Sequence, residues 1–256
     1  MRGLGIWKST DGGTSWSQLV STNNSNFHYV QDLIMDTNGA LYAATRSGLR
    51  RSEDGGITWM RVITGNFADL ELGADNDIYA TTNSGDVWKS DHTKHYSVLG
   101  KSGNWLDITP SGSFERIELA TAQSNANRVY ILCQGNGSNN VSDIFRSDNA
   151  ASNSGITWTS LPVPTIIDQG SNSIFTRNQA WYDLIAAVDP SNADVVYIGG
   201  VDALRSTNAG ANWTQITTWS LFAASGYTSA QNVHADHHMI TFQPGSSTNA
   251  IWGTDG

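Results

Sequence analysis

The 256-residue sequence predicts an all-β fold, and three observations support this class. A short motif that ends in tryptophan recurs along the whole chain. Glycine occurs 25 times while charged residues make up only 14% of the chain, which is typical of short strands joined by tight turns. No segment keeps an apolar period of 3.6 residues long enough for a substantial helix. The chain is therefore expected to fold as antiparallel strands.

The recurring motif has the spacing Ser-x-Asp-x-Gly-x-x-Trp. Residues 9–16 and 52–59 match it fully, and residues 206–213 match it with Asn in place of Asp. Two looser copies end at Trp105 and Trp158. Successive motif tryptophans are 43, 46, 53 and 55 residues apart, so one structural unit repeats about five times along the chain.

Each position of the motif has a physical reason. A short acidic or amide side chain accepts hydrogen bonds from nearby backbone N–H groups and ties a turn. Glycine supplies a backbone with positive φ. Tryptophan, starting the next strand, can bury a large ring between neighbouring blades. The residues assigned this structural role are Ser9, Asp11, Gly13, Trp16, Ser52, Asp54, Gly56, Trp59, Ser206, Asn208, Gly210 and Trp213.

The repeat length and the motif together indicate the architecture. The spacing is close to the roughly 40–50 residues of a four-stranded propeller blade. The motif closely resembles the Asp-box, or BNR, repeat of sialidases, xyloglucanase-type glycoside hydrolases, sortilin (VPS10-like) receptors and photosystem assembly factors. The resemblance implies an all-β propeller of four-stranded antiparallel blades. It also implies that the motif turns lie away from the central channel and that their aspartates are structural.

Short strands between turn residues fill each predicted blade. The predicted strands are 27–36, 41–45, 48–52 and 58–63, then 68–73, 77–82, 86–90 and 104–109. The later ones are 116–122, 128–134, 143–147 and 157–161, then 181–189, 195–200, 203–206 and 212–217. These runs are rich in apolar and β-branched residues and end at Gly, Asn, Asp or Ser, as strands do.

The two ends of the chain each supply half a blade. Residues 5–9 and 15–20 read as third and fourth strands, and residues 238–243 and 250–254 read as first and second strands. The prediction is one domain over 1–256 with five blades, because joining the ends hides exposed strand edges. The blade units are 27–63, 67–109, 114–161, 181–217 and a shared unit of 1–20 plus 238–256. The alternative is a fragment of a larger propeller.

One candidate site is the cluster of His234, Asp236, His237 and His238. Imidazoles and carboxylates are ligands for a divalent metal and also serve in acid–base chemistry. On an extended strand, His234, Asp236 and His238 share one face, so these three are the predicted metal ligands. His234 and His238 are also predicted to bind ligand. The alternative is that the cluster forms structural hydrogen bonds. With residues 253–256, the segment resembles a His-x-Asp-x-His…Asn-Asp-Gly-Gly pattern of secreted BNR glycosidase-like proteins.

The second candidate site is Trp181, Tyr182 and Asp183, which resembles a Gly-Trp-Tyr-Asp…Asp-Pro segment of the same secreted family. Aromatic rings pack well on the C–H face of a sugar, and a carboxylate bonds to its hydroxyl groups. The alternative is that both rings belong to the core. Asp183 and Asp236 are the predicted catalytic pair, provided that they face one open cleft at roughly 5–10 Å from each other.

Composition and missing motifs exclude several classes. The formal net charge of −9 opposes binding to phosphate backbones, so no nucleic-acid partner is expected. The single cysteine, Cys133, excludes a disulfide framework and a cysteine-cage metal site, and its apolar neighbours indicate a buried thiol. No apolar run approaches the roughly 18 residues of a membrane span. The absence of an Arg-Ile-Pro segment disfavours a sialidase.

Three functions are compatible with these patterns. The first is binding of a glycan or protein at the mouth of the channel, in an extracellular or cell-surface protein whose signal peptide is not present in residues 1–5. The second is a xyloglucanase-like glycoside hydrolase acting through Asp183 and Asp236. The third is a purely structural propeller in a larger protein. No cofactor is predicted other than the divalent metal.

Overall fold

The computed structural model describes residues 2–91, 101, 103–168, 171–220, 231–243 and 245–256. The chain divides into two compact units, Met1–Thr109 and Pro110–Gly256. The described residues form strands and turns, with short 3₁₀ turns at Val20–Thr22 and Ser25–Phe27. No helix in this part of the chain is long and apolar enough to cross a membrane. The predicted all-β class is confirmed.

The first unit contains one two-stranded and two four-stranded antiparallel sheets among its described residues. The small sheet pairs β1 (Trp7–Lys8) with β2 (Ser17–Gln18). The next sheet has the order β3 (Val30–Met35), β4 (Leu41–Thr45), β5 (Gly48–Ser52) and β6 (Met60–Ile63). The last has β7 (Phe67–Leu72), β8 (Ile78–Thr82), β9 (Val87–Ser90) and β10 (Trp105–Asp107). Each four-stranded sheet follows chain order, as blades do.

The second unit repeats this arrangement. One four-stranded sheet is β11 (Phe114–Thr121), β12 (Val129–Gly135), β13 (Val141–Ser147) and β14 (Thr159–Leu161). A hairpin follows, with β15 (Thr165–Asp168) and β16 (Ser171–Ile174). The other four-stranded sheet is β17 (Ile185–Asp189), β18 (Asn192–Gly199), β19 (Ala203–Ser206) and β20 (Thr214–Gln215). The last sheet pairs β21 (His237–Phe242) with β22 (Ala250–Thr254).

Each predicted strand overlaps an observed one, but many ends differ, and the predicted strands 15–20 and 27–36 extend into the 3₁₀ turns Val20–Thr22 and Ser25–Phe27. Two differences are larger. The hairpin β15–β16 was not predicted: β15 has only the short apolar run Ile166-Ile167, and β16 is mostly polar. The predicted strand 181–189 starts too early, since β17 begins at Ile185 and residues 181–183 form a turn. In the predicted unit 67–109, residues 92–100 and 102 lie outside the described residues. The blade limits and the fifth blade shared by the chain ends stay predictions.

Apolar side chains that alternate along the strands form a core in each unit. In the second unit, Leu132 and Ile144 pack in one cluster with Val196 and Ile198, all without exposed surface. Burying one such side chain contributes roughly 1.5–3 kcal/mol. Every residue of β12 is buried, including Cys133, so the prediction of a core thiol is confirmed. Burial raises the pKa of the Cys133 thiol, which keeps it protonated.

The three copies that keep the motif spacing form the same hydrogen-bonded turn. The serine hydroxyl accepts from the glycine N–H, and the Asp or Asn Oδ1 accepts from the backbone N–H four residues later. The first contact joins Ser9 to Gly13, Ser52 to Gly56 and Ser206 to Gly210, at 2.8, 2.9 and 2.9 Å. The second joins Asp11 to Ser15, Asp54 to Thr58 and Asn208 to Asn212, each at 2.9 Å. Hydrogen bonds from Ser15 and Thr58 lower the pKa values of Asp11 and Asp54 to about 2.

The motif tryptophans are less buried than predicted. Trp16 is 60% exposed, whereas Trp59 is half-buried and meets Phe27 edge-on with ring centroids 5.3 Å apart. The prediction that Trp16 is buried is therefore wrong. Trp16 adjoins the two-stranded sheet β1–β2, which offers less packing surface than the four-stranded sheet next to Trp59.

Candidate functional site

The candidate site lies in the second unit, at the turn that precedes β17. The Gln179 carbonyl accepts hydrogen bonds from the N–H groups of Tyr182 (2.7 Å) and Asp183 (3.0 Å). This turn points neighbouring residues in opposite directions. Trp181 and Tyr182 are 58% and 41% exposed, while Asp183 has no exposed surface. The alternative that both rings belong to the core is wrong, because the turn directs them to solvent.

A strained segment supports this turn. Arg177 and Asn178 have φ values of 42° and 65°, a region that non-glycine residues adopt only when surrounding contacts enforce it. Asn140 provides such contacts. Its Oδ1 accepts from the Asn178 N–H at 2.7 Å, and its Nδ2 donates to Asn178 Oδ1 at 2.7 Å. Residues just before the aromatic pair are therefore held by a side chain from the turn between β12 and β13.

Arg116 fixes the other side of the turn. Its Nη1 donates to the Tyr182 carbonyl at 2.8 Å, and its Nη2 donates to the Leu184 carbonyl at 2.9 Å. Arg116 belongs to β11, whose pairing with β12 is irregular between Phe114 and Ile117. A bulge of this kind re-aims a side chain, and here the guanidinium satisfies two backbone carbonyls.

The exposed rings of Trp181 and Tyr182 form what we call the aromatic platform. Their centroids are 5.5 Å apart with a tilt of 43°. Trp181 Nε1 donates to the Asn178 carbonyl at 3.2 Å, and the Tyr182 hydroxyl donates to Asp255 Oδ2 at 2.9 Å. The His238 ring stands edge-on to Tyr182 at 4.7 Å. Both rings are thus exposed and also anchored through their polar atoms.

His238 and Asp255 complete these contacts. Nε2 of His238 lies 2.8 Å from Oδ1 of Asp255. The pairing of β21 with β22 is irregular between His237 and Met239, which directs His238 toward Tyr182. The hydrogen bond from Tyr182 and the contact with His238 lower the pKa of the Asp255 carboxyl. Asp255 is therefore a charged acceptor shared by two rings.

Asp183 and Asp236 form a close pair of carboxyl groups. Neither Oδ1 nor Oδ2 of Asp183 meets a donor among the described residues. Burial, followed by the charge of Asp236 and a hydrogen bond to it, raises the pKa of Asp183 to about 8. Asp236 Oδ1 also accepts from Gln179 Nε2 at 3.0 Å. Asp183 is fully buried, so it does not open onto solvent as the predicted catalytic pair requires. The catalytic roles of Asp183 and Asp236 stay a prediction.

The expected metal-ligand set is not assembled. Within the part of the chain that the structure describes, no three His, Cys, Asp or Glu side chains gather as a metal-binding group. Asp236 has a φ of 66° and precedes β21, so the extended-strand assumption behind the set is wrong. His234 is exposed, with Nδ1 2.9 Å from the Ala235 carbonyl, while His238 faces Asp255.

His237 was predicted to point away from its neighbours, and it is buried. Its ring is 1% exposed, lies 5.8 Å from that of Trp252, and has no hydrogen-bond partner for either nitrogen among the described residues. Burial lowers the pKa of His237 to about 4. The ring is therefore neutral at neutral pH.

An open polar depression of about 490 Å³ adjoins the platform. Its volume falls within the range of ligand sites. It is lined by Asn140, Ser173, Ile174, Arg177, Asn178 and Gln179. Two of these residues also hold the platform, because Asn178 accepts from the Trp181 indole and Gln179 closes the turn.

Four residues of the site were given no role from the sequence: Gln179, Asp255, Asn140 and Arg116. Gln179 adjoins one predicted segment and Asp255 lies in the other, but their residue types did not indicate these contacts. Asn140 contacts Asn178 from 38 residues away. Arg116 lies 66 residues before Tyr182, and nothing in its local sequence indicates the contact. The hairpin strand β16, which contributes Ser173 and Ile174 to the depression, was also missed.

Comparison with known proteins gives relatives but no family assignment. No protein-family model matches the chain. Over 236 residues, or 88% of this chain, it is 27% identical to a xyloglucanase of Hypocrea jecorina (strain QM6a). The chain spans about a quarter (24%) of that protein. The predicted likeness to xyloglucanase-type proteins is confirmed at this level.

Solved structures agree on the fold. A GH74 xyloglucanase of Xanthomonas campestris matches with a TM-score of 0.56 and 16% identity, over 82% of this chain and 34% of that one. YCF48 of Cyanidioschyzon merolae matches with a TM-score of 0.58 and 16% identity, over 98% and 74%. The chain is a β-propeller protein with four-stranded antiparallel blades and resembles glycoside-hydrolase propellers. A relation to sortilin-like receptors stays a prediction.

Proposed function

We propose that this protein binds a glycan on the aromatic platform. One observation carries the proposal: two adjacent rings are 58% and 41% exposed, and both are anchored by hydrogen bonds from their polar atoms. Large aromatic side chains are usually buried, or mobile when exposed. Here hydrogen bonds hold both rings toward solvent, which favours a binding role. Because the rings are ordered before ligand arrives, binding costs little side-chain entropy.

The surroundings of the platform suit a sugar. The C–H face of a pyranose packs on aromatic rings, and its hydroxyl groups need donors and acceptors beside them. The adjoining depression is polar and offers the side chains of Asn178 and Gln179. His238 and Asp255 flank the other edge of Tyr182. His234 is exposed in the segment that leads into β21, and it is a further contact in the proposed site.

Binding is favoured over hydrolysis. A glycosidase needs two carboxyl groups that face the scissile bond at roughly 5–10 Å from each other. Asp183 is fully buried, so its carboxyl group is not presented to a substrate. A polymeric glycan ligand is consistent with an extracellular or cell-surface location, which is part of the proposal.

The proposal is tested by calorimetric titration of the purified chain with xyloglucan oligosaccharides and a panel of other soluble polysaccharide fragments. The Trp181→Ala variant is expected to lose at least about tenfold in affinity, since truncation of a central aromatic contact has this effect. Trp16→Ala is the matched control. Trp16 is 60% exposed and its Nε1 donates to the carbonyl three residues earlier at 3.2 Å, as in Trp181.

Equal loss in the Trp16→Ala and Trp181→Ala variants would contradict the assignment, as would no binding to any fragment by the wild type. Release of reducing ends that depends on Asp183 and Asp236 would instead support the hydrolase. Binding of a protein ligand at Trp181 would support this surface as the binding site, with a protein in place of the glycan as the ligand.

A further inference from the structure

A second depression in the second unit surrounds Arg205 on β19. It has a volume of about 180 Å³ and is lined by Arg205, Thr207, Asn208, Asn212, Thr214 and Ile216. Sites for whole drug-sized ligands are larger, roughly 300–1,000 Å³, so a space of this size suits one substituent group. The Arg205 guanidinium is the charged group of this lining, which contains no carboxylate. We call this space the Arg205 depression, and its charge is positive.

Arg205 is a cation without an oxygen acceptor. In the described part of the chain it makes no hydrogen bond and no ion pair, and its Nε is buried. Its guanidinium carbon lies 5.6 Å from the centroid of the Tyr197 ring. That ring contacts Phe242 and Trp252 edge-on, with centroids 5.8 and 6.1 Å away. Stacking therefore orients the guanidinium, but it supplies none of the oxygen atoms that would replace its lost hydration.

The same pair of residue types recurs in the four-stranded sheets of both units. A base on the third strand lies opposite a tyrosine on the second strand, and the pairs are Arg51 with Tyr42, Lys89 with Tyr79, Arg146 with Tyr130 and Arg205 with Tyr197. The carboxylates that contact the first three bases belong to Glu53, Asp77 and Asp148. Among the described residues, no carboxylate contacts Arg205 in this way.

The sequence accounts for part of this difference. The residue two positions after Arg51 is acidic, and so is the residue two positions after Arg146. The residue two positions after Arg205 is Thr207. A threonine hydroxyl carries no charge, so the chain itself does not provide the counter-charge that the other repeats carry at this position.

Arg146 shows which contacts a guanidinium makes at this position. Its Nη2 donates to Asp148 Oδ2 at 2.8 Å, and its Nη1 donates to the Ala209 carbonyl at 2.9 Å. Arg205 has the same N–H donors and contacts neither kind of oxygen. A carboxylate or sulfate group presents two or more oxygens to the fork of a guanidinium. One such group can therefore replace both acceptors.

The rest of the lining suits an anion as well. Thr214 lies directly opposite Arg205 in the pairing of β19 with β20. The side chains of Thr207, Asn212 and Thr214 make no hydrogen bond within the described part of the chain. Hydroxyl groups and side-chain amides can donate to the oxygens of an anion. The Arg205 depression thus combines one fixed positive charge with uncharged donors that are free to bind a ligand.

We propose that the Arg205 depression is a binding site for an oxyanion group, the carboxylate or sulfate substituent of an anionic ligand. The guanidinium donates to two oxygens of this group, the Tyr197 ring orients the guanidinium, and Asn212 and Thr214 donate to the remaining lone pairs. The bound group takes the place of the carboxylate that three other sheets supply from the chain itself. The site shares no lining residue with the depression beside the aromatic platform, so it does not depend on the proposed glycan contact.

The experiment is an NMR titration of the purified chain with sodium glucuronate, with sodium sulfate, and with uncharged glucose as the neutral control, at constant ionic strength. The backbone N–H signals of Asn212 and Thr214 report binding, because they are present in every variant. Three variants are compared with the wild type: Arg205→Gln, Thr207→Asp and the matched control Arg146→Gln. Thr207→Asp keeps Arg205 and restores the acidic residue of the other repeats, so it supplies an internal competitor for the ligand.

We expect glucuronate or sulfate to shift both signals in a saturable manner in the wild type and in Arg146→Gln. The affinity is expected to fall at least about tenfold in Arg205→Gln and in Thr207→Asp. Saturation by glucuronate supports a carboxylate ligand, and saturation by sulfate supports a sulfate ester.

Four results would overturn the inference. They are no saturable shift with either anion, an equal shift with glucose, wild-type affinity in Arg205→Gln, and wild-type affinity in Thr207→Asp. If Arg205→Gln does not fold, Thr207→Asp decides the question, because it retains the guanidinium and changes an exposed residue. None of these outcomes depends on whether a glycan binds at Trp181.

Discussion

The Tyr182 hydroxyl donates a 2.9 Å hydrogen bond to the Asp255 carboxylate, across 73 residues of sequence. The other oxygen of Asp255 lies 2.8 Å from His238 Nε2, and the His238 ring meets Tyr182 edge-on at 4.7 Å. The three side chains contact one another in a closed triangle. A tyrosine that is 41% exposed is thereby held in one orientation, which is the condition for a preorganised binding surface.

The Tyr182→Phe variant tests the role of the Tyr182 hydroxyl group separately from that of the ring. Phenylalanine keeps the apolar face and the contact with His238 but cannot donate to Asp255. We expect glycan affinity to fall about threefold, less than in Trp181→Ala, because orientation is weakened while the ring remains. We also expect the pKa of Asp255 to rise, since the hydrogen bond from Tyr182 is the main cause of its lowering. Titration calorimetry and an NMR pH titration measure the two effects, and wild-type values for both would refute the role of the triangle.

The lowered pKa of His237 predicts that the free energy of unfolding decreases at acidic pH. Its folded pKa is lowered from 6.5 to about 4, so between these values the unfolded state binds a proton that the folded state excludes. The contribution of His237 to the free energy of unfolding therefore falls as pH drops from about 6.5 to about 4. His237→Phe keeps a ring beside Trp252 and removes this change. Urea unfolding at several pH values measures it as a difference from wild type, because Asp183 acts in the opposite direction over part of the range.

His234→Phe is the matched control for that measurement. His234 is exposed in the same segment, so its replacement is expected to leave the acid-dependent loss in place. An acid slope that persists in His237→Phe would show that the buried ring is not its source.

Glycine is required at two equivalent turn positions for a shared backbone reason, and at Gly56 for a packing reason as well. Gly13 and Gly56 both have a φ of 90°, so alanine at either site is strained by about 1–2 kcal/mol. A Cβ at Gly56 would lie 2.5 Å from Leu19 Cδ1, whereas at Gly13 nothing lies within 4 Å. We expect Gly56→Ala to lose about 1 kcal/mol more than Gly13→Ala, because Leu19 must shift. Urea unfolding measures both, and a larger loss in Gly13→Ala would be inconsistent with this packing.

The first unit contains a buried ion pair. Lys89 Nζ lies 2.7 Å from Asp77 Oδ2, and neither side chain has exposed surface. Lys89→Met leaves a buried carboxylate without its counter-charge, so we expect the free energy of unfolding to fall by about 3–5 kcal/mol. In the half-exposed pair of Arg146 and Asp148, Arg146→Met is expected to cost less than about 1 kcal/mol. Equal losses in the two variants, measured by urea unfolding, would contradict the burial argument.

The repeated turns could be predicted from sequence because their contacts are local. In each turn the donor and acceptor lie within four residues of each other, as in the hydrogen bond from Gly13 to Ser9. The strands between turns follow from the same short-range pattern. The burial of Trp16 was predicted wrongly, because exposure depends on how much neighbouring sheet surrounds a ring, which the motif does not encode.

The site was only partly predictable. Trp181, Tyr182 and Asp183 are recognisable as residue types, but their turn depends on Asn140 and Arg116, which contact it from 38 and 66 residues away. In an extended strand, Asp236 would lie on the same face as His234 and His238. Its φ of 66° shows that the backbone is not extended there, and no local signal predicts a left-handed aspartate. Contacts between distant segments therefore decide which candidate residues meet.

The most direct test of the account is an NMR titration of the indole N–H signals with the glycan that binds best. Trp181 and Trp16 differ little in exposure and both donate to a carbonyl, so their signals serve as probe and internal control. We predict that the Trp181 signal shifts in a saturable manner while the Trp16 signal stays in place. A shift of the Trp16 signal with an unchanged Trp181 signal would contradict glycan binding at the aromatic platform.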